Sequence, residues 1–276
     1  MNDISRVLLK MFLDRREYRG ATEFSFGWRP AKGDYHRLRI QARDGPFGTT
    51  VMLRKATSDV PTFEQIFGYN SFNLRHLPRW NQISAAYDNR DLNYKPLILD
   101  LGANIGLASL YFAKNWPDAE IVAVEPDAGN YQLMLQNVSG LKNLHPIQAA
   151  VACEDGAVLI TNPEAEAWAY RTETAKEGVT GTVPSISIDS IMNLPQLGGR
   201  FRPFIAKIDI EGFESNLFSK NTDWVASFPI IIIELHDWMV DKNGSSRTFL
   251  QTIAKYDRDF FFRGENVYSL SRDLNL

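Results

Sequence analysis

Leu99-Asp100-Leu101-Gly102-Ala103-Asn104-Ile105-Gly106 is the stretch that decides how this 276-residue chain folds. The apolar run Leu97–Leu101 reads as a buried strand, the glycine-bounded segment after it as a tight turn, and Leu107 to Trp116 as a helix. In an open parallel sheet a ligand sits outside the carboxyl ends of the strands where their order reverses, and the first strand-to-helix turn approaches it most closely. Gly102 and Gly106 permit tight turning and close backbone approach, and the start of the helix aims its amides at the ligand. A dinucleotide site carries three glycines as G-x-G-x-x-G because pyrophosphate presses on the backbone at the second one. Here that place is Asn104. An Asn side chain crowds a pyrophosphate but can hydrogen-bond amino and carboxylate groups, and Asp100 beside it offers a negative partner for an ammonium. Glu125 ends the next strand 19 residues after Gly106. An acidic side chain there can accept both ribose hydroxyls, and Pro126-Asp127 then turns the chain. Taken alone, the glycine turn is equally the tight packing of any α/β protein. With Asn104, Asp100 and Glu125 in register it favours S-adenosylmethionine over a dinucleotide.

Working outward, further apolar runs follow at Ile121 to Glu125, Leu144 to Val151, Phe204 to Ile210 and Ile230 to Leu235, each reading as a buried strand. Helical stretches fit between several of them, at Ala128 to Leu141, Ile188 to Leu194 and Glu214 to Trp224, with another at Thr248 to Tyr256. Phe260 to Arg263, then Gly264-Glu265-Asn266, then Val267 to Ser269 read as strand, turn and strand. The expected fold class is therefore α/β and Rossmann-like: a mostly parallel sheet closed by a C-terminal antiparallel hairpin. Residues 96–276 form that domain, and residues 1–95 an N-terminal helix and a cap or leader. Within the leader, Ile4, Val7, Leu8, Met11 and Phe12 make one apolar helical face, expected to pack on the body or on a twin subunit in a homodimer. His36–Ile40 and Thr49–Leu53 read as two short strands, and Thr62 to Tyr69 as a helix entry; the rest of the leader is irregular. Residues 155 to 185 read as a strand plus a polar surface excursion that carries Trp168 and Tyr170 and could serve as a lid.

Composition limits the partners. Thirty Lys and Arg against 33 Asp and Glu give a net charge of −3, without the basic excess of a protein that neutralises many phosphates. Nucleic acid is disfavoured. The single Cys153 cannot form an internal disulfide and has no ligand neighbours at metal spacing. Charged residues interrupt every apolar stretch of the N-terminus, so neither a signal peptide nor a membrane span is expected there, and a cytoplasmic location fits best.

These residues resemble the class I methyltransferases, and later segments narrow the resemblance to the FkbM family. It rests on Asp100-Leu-Gly-Ala-Asn-Ile-Gly106, Glu125-Pro126, Ser187-Ile-Asp189, Lys207-Ile-Asp-Ile-Glu-Gly212 and Ile233-Glu-Leu-His236, and covers roughly Ser58 to His236. The resemblance implies a seven-stranded methyltransferase sheet, S-adenosyl-L-methionine as donor and O-methylation of a hydroxyl on a sugar, glycan or natural product. It also implies that Ser58-Asp59 approaches the cofactor. The Asn/Asp-Pro-Pro-aromatic motif of amino-group methylases of DNA and RNA is missing at the end of the fourth strand, which instead reads Asp209-Ile210-Glu211-Gly212.

Methyl transfer from a sulfonium needs alignment and removal of a proton from the acceptor. Lys207, Asp209 and Glu211 are expected to alternate on one face of their strand, and Glu234 and His236 on theirs. His236 is the first choice as general base because an ordinary imidazole titrates near neutrality, with Glu211 and Asp209 as rivals. The structural alternative pairs Lys207 with Asp209 or Glu234 and leaves His236 as a loop cap. No metal is mandatory, although Asp209, Glu234 and His236 are a suitable ligand set for a divalent cation. Trp28, Tyr35, Trp80, Trp168 and Tyr170 are the rings that could stack on a sugar, though aromatics are more often core. Two rival classes stay open: a nicotinamide-dependent oxidoreductase and a non-catalytic adenosyl-binding protein.

Overall fold

The computed structural model describes residues 3–14, 16–29, 33–88, 94–160, 172–174, 182–237 and 244–274. In chain order its strands are β1 (Phe24–Arg29), β2 (Tyr35–Ala42), β3 (Gly48–Arg54), β4 (Lys95–Leu101), β5 (Glu120–Val124), β6 (Leu144–Ile147) and β7 (Ala150–Val151). Then come β8 (Gly156–Ile160), β9 (Thr172–Thr174), β10 (Thr182–Ile186), β11 (Phe201–Ile208), β12 (Ile230–Glu234), β13 (Arg258–Arg263) and β14 (Asn266–Ser271).

The main sheet has seven strands in the order β13-β14-β12-β11-β4-β5-β6. Five are parallel, and β14 joins β12 and β13 antiparallel, as the hairpin reading expects. Alternate residues of each central strand feed two separate cores. Ile98, Ile121, Ile205, Ile230 and Ile232 belong to one face, and Leu97, Leu99, Leu101, Val122, Ala206, Ile208, Ile231 and Ile233 to the other. Burial on both faces is why these strands are unbroken apolar runs in the sequence. The chain builds β4 to β6 toward one edge and then returns to place β11 on the far side of β4. The order therefore reverses between β4 and β11, and the crevice at their carboxyl ends is where a ligand is expected.

The leader is more ordered than its turn signals suggest. β1, β2 and β3 form a three-stranded antiparallel sheet, and β2 alternates exposed and buried residues along its length. Its inward side chains, among them Phe24, Leu38, Ile40, Val51 and Leu53, share a core with Leu110, Tyr111 and Phe112 of the helix Leu107–Asn115. In the helix Asp3–Leu13, Ile4, Val7 and Met11 turn into this core, whereas Leu9, Phe12 and Leu13 face outward. The Thr62 to Tyr69 entry is an α-helix, Asp59–Phe63, that widens into a π-helical turn at Glu64–Gly68.

Two continuous readings are split. Leu144 to Val151 is not one strand: β6 is the edge of the main sheet, and β7 pairs with β10 in a separate four-stranded sheet. Glu214 to Trp224 is two short helices, Glu214–Leu217 and Trp224–Ser227. Within the excursion expected at 155 to 185, β8, β9 and β10 belong to that four-stranded sheet, and Trp168 and Tyr170 lie outside the described residues. Among those described, no helix is long and apolar enough to cross a membrane.

Candidate active site

A cavity of about 230 Å³ opens at the carboxyl ends of β4, β11 and β12, with Ser58, Asn104, Lys207, Asp209, Glu211 and His236 on its wall. The structure thus brings most of the candidate residues to one place. The loop after β4 is held from three sides. Gly102 N and Ala103 N both donate to Val124 O at 2.9 Å, Asp209 N donates to Leu101 O at 3.0 Å, and Lys207 Nζ donates to Gly102 O at 2.8 Å. Gly102 has φ +75°, and an added Cβ would stand 1.7 Å from Asp209 O. Its backbone thus lies hard against the neighbouring loop and also on the cavity wall. Gly106, at φ +85°, fits in the same way against Val138 and Met134.

Asn104 sits in the left-handed region at φ 50°, a conformation that Asn tolerates better than most residues. Its backbone N–H donates to Glu125 Oε2 at 2.8 Å, and its Oδ1 is buried with no hydrogen-bond partner. Glu125 does not stand on the cavity wall. Its Oε1 accepts from Asp127 N at 3.0 Å and from Asn130 Nδ2 at 3.2 Å. Burial pushes its carboxyl up to about 7 against these three N–H donors, which pull the other way. Pro126 lies between Glu125 and Asp127, and Asp127 caps the next helix by accepting from Asn130 N at 2.7 Å. Asn130 Oδ1 in turn accepts from Arg54 Nη2 at 2.8 Å. Arg54 grips the buried Asp59 through Nε at 3.0 Å and Nη2 at 2.8 Å. Ser58 therefore reaches the cavity while Asp59 anchors it from behind.

Asp100 is also behind the wall, fully buried. It is the register partner of Lys207 across the β4/β11 pair, and its Oδ1 lies 3.2 Å from Lys207 Nζ. Its Oδ2 accepts from Ser109 Oγ at 2.6 Å. The ammonium that Asp100 balances in this fold is the chain's own. Lys207 is buried, which disfavours its charge, but Asp100 and then Asp209, 3.4 Å away, hold it well above its ordinary value.

β11 ends at Ile208, so strand alternation does not carry Glu211 to the cavity. A turn with φ 54° at Glu211 and φ 91° at Gly212 does so instead. His236, past the end of β12, donates from Nδ1 to Glu214 Oε1 at 2.8 Å, and both side chains are buried. Its Nε2 faces Glu234 Oε1 and Glu211 Oε2 at 3.5 Å and Asp209 Oδ1 at 3.6 Å. Burial lowers the imidazole, but Glu214, Glu234 and Asp209 outweigh it and push His236 up to about 11. The ordinary imidazole value behind the general-base reading does not apply in this setting. Burial, then Asp209, pushes Glu211 up to about 9.

A second cavity, of about 610 Å³, adjoins the first and shares Thr62, Gln65, Glu265 and Asn266 with it; Arg19 and Tyr69 line its outer part. Trp28, Tyr35 and Trp80 line neither cavity. Tyr69, stacked on Tyr18 with centroids 4.8 Å apart, and Glu214 were not singled out in the sequence. Period-2 patterning around Tyr69 is absent, and Glu214 matters only because of what it packs beneath.

The sheet order and the strand-end cavity define a Rossmann-like methyltransferase fold. The chain belongs to the FkbM methyltransferase domain family, whose match covers residues 100–262, more than half of its length. It is similar to the methyltransferase sdnD of Sordaria araneosa, 35% identical over 78 residues that make up 27% of this chain and 30% of that protein. Among solved structures, the precorrin-6y C5,15-methyltransferase of Geobacter metallireducens aligns over 71% of this chain and 89% of its own, with 12% identity and a TM-score of 0.34. The fibrillarin pre-rRNA processing protein of Methanococcus jannaschii aligns over 89% and 96%, with 10% identity and a TM-score of 0.38. At scores this low, the fold is read from the chain's own sheet order.

Proposed function

We propose that this protein transfers a methyl group from S-adenosyl-L-methionine to a hydroxyl of a sugar, glycan or natural-product acceptor in the cytoplasm. The observation that carries the cofactor is Asn104. Its buried Oδ1 lacks a partner, and the residue stands on the cavity wall at the switch point of the sheet. A buried acceptor left unpaired costs about 1–3 kcal/mol, and a ligand ammonium would satisfy it. The donor set on the wall fits the amino-acid end: Asn104 and Ser58 line the cavity, and Glu125, one layer back, holds Asn104 N in place. When bound, S-adenosylmethionine supplies a methyl group on sulfur whose departure leaves a neutral thioether. The chain's own part is to hold and discharge the acceptor. The second cavity admits it between leader and hairpin, and the Asp209 carboxylate flanks the hydroxyl and receives its proton as the O–C bond forms. Lys207 fixes Asp209 from below, and His236 holds the carboxylates together.

Titration calorimetry with S-adenosylmethionine, followed by mass spectrometry on hydroxylated acceptors for a gain of one methyl, tests the reading. Saturable cofactor binding and a methylated product are expected. A melting temperature raised by a nicotinamide cofactor instead would make the protein an oxidoreductase, and cofactor binding without any product would make it a binding protein. Asn104→Ala is expected to weaken S-adenosylmethionine about tenfold, the loss of one charge-assisted hydrogen bond. Glu125→Ala should weaken it further, because the carboxylate that anchors Asn104 N and the first turn of the next helix is lost. Unchanged dissociation constants in both variants would remove the loop from the cofactor site.

A further inference from the structure

The geometry points to a divalent cation site formed by His236 Nε2, Asp209 and Glu234 on the floor of the cavity, with Glu214 as the positioning residue behind it. Ligand atoms of Asp209, Glu234 and His236 all lie within 4.8 Å of one another. The distances from Nε2 to the facing carboxylate oxygens, 3.5 to 3.6 Å, are too long for N–H···O bonds, which form at about 2.7–3.2 Å. They are close to the spacing of neighbouring ligands around one ion: bonds of about 2.0–2.2 Å place ligand atoms roughly 3.0–3.5 Å apart in octahedral or tetrahedral arrangements.

His236 supplies the independent sign. Its side chain is 2% exposed, and Nδ1 is committed to the fully buried Glu214. That bond fixes the ring so that Nε2 is aimed at the oxygens of Asp209, Glu211 and Glu234, at 3.5 to 3.6 Å. A carboxylate bonded to the far nitrogen of a ligating imidazole is the usual support of a metal-bound histidine. Four carboxylates, those of Asp209, Glu211, Glu214 and Glu234, converge on this one imidazole, while the nearby Lys207 is already matched by Asp100. One nitrogen with carboxylate oxygens suits a first-row ion of the Mn²⁺ or Zn²⁺ kind better than Mg²⁺ or Ca²⁺, which prefer oxygen alone. A cation there would acidify an acceptor hydroxyl. That use rests on the proposed methyl transfer; the binding itself does not.

The full chain, stripped with a chelator and dialysed, is titrated with MnCl2, ZnCl2 and MgCl2 by calorimetry, and each sample is then titrated with S-adenosylmethionine. Saturable one-to-one binding of Mn²⁺ or Zn²⁺ is expected. It should be weakened at least tenfold in Asp209→Asn and Glu234→Gln, and about 10- to 100-fold in the nearly isosteric Glu214→Gln, the usual effect of removing such a support. Circular dichroism and retained S-adenosylmethionine binding identify variants that are folded. Failure of all three cations to bind the wild-type chain, or equal affinity in folded Asp209→Asn and Glu214→Gln, would overturn the site. S-Adenosylmethionine binding in the same wild-type samples would leave the methyltransferase reading standing, and its absence beside metal binding would do the reverse.

Discussion

Lys207→Met is expected to destabilise the protein by about 3–5 kcal/mol, the usual cost of removing one partner of a buried ion pair. The ammonium lies 3.2 Å from Asp100, which is fully buried, and methionine would fill the volume while leaving that carboxylate unbalanced. The same ammonium donates to Gly102 O, so the loop after β4 should loosen as well. The double variant Lys207→Met/Asp100→Asn separates charge from packing. An amide keeps an oxygen for Ser109 Oγ without a charge, so denaturant unfolding should return more than half of the lost stability. Additive losses in the two substitutions would mean that the pair is not coupled, and Lys207 would then have to be explained by the cavity alone.

Gly102→Ala is expected to be nearly as damaging, although it adds a single methyl group. The new Cβ would stand 1.7 Å from Asp209 O at a backbone φ of +75°. The left-handed conformation costs about 1–2 kcal/mol for a residue with a side chain, and forcing an atom into a packed interior costs typically 1–3 kcal/mol more. Relief would require the loop after β4 to separate from the loop after β11, breaking the Asp209 N to Leu101 O bond. Thermal unfolding should fall by roughly 5–15 °C at the few degrees per kcal/mol typical of domains this large, and S-adenosylmethionine binding should fall with it. A melting temperature within experimental error of wild type would contradict the close approach on which the joined loops depend.

What could be read in the sequence follows from locality. The main sheet was legible because each central strand is buried on both faces and each run is bounded by its own turn or helix signals. The separation of β6 from β7 was not, because the run from Leu144 to Val151 is continuous and only the distant β10 draws Ala150 and Val151 into another sheet. β1 escaped although Phe24, Phe26 and Trp28 alternate with Ser25, Gly27 and Arg29. It starts directly from the helix Gly20–Glu23 without a turn residue between them. In the cavity, strand ends predicted Lys207, Asp209, Glu234 and His236. Local spacing could not indicate that Asp100 and Glu125 stand one layer back, where they serve Lys207 and Asn104, nor that Glu214 sits beneath His236.

The leader is also tied to the C-terminal hairpin across most of the chain's length. Arg263 Nη2 donates to Tyr69 O at 2.8 Å, Tyr268 Oη donates to Ser71 O, and Arg79 Nη1 donates to Ser271 O at 2.8 Å; each pair is separated by about 190 residues or more. During synthesis from the N-terminus, residues 69 to 79 must wait for β13 and β14 before these carbonyls and guanidinium find their partners. Assembly dominated by such distant pairings is slow. The outer cavity is therefore among the last features to form, and a chain stalled before β14 would hold the loop after β4 with no wall opposite it.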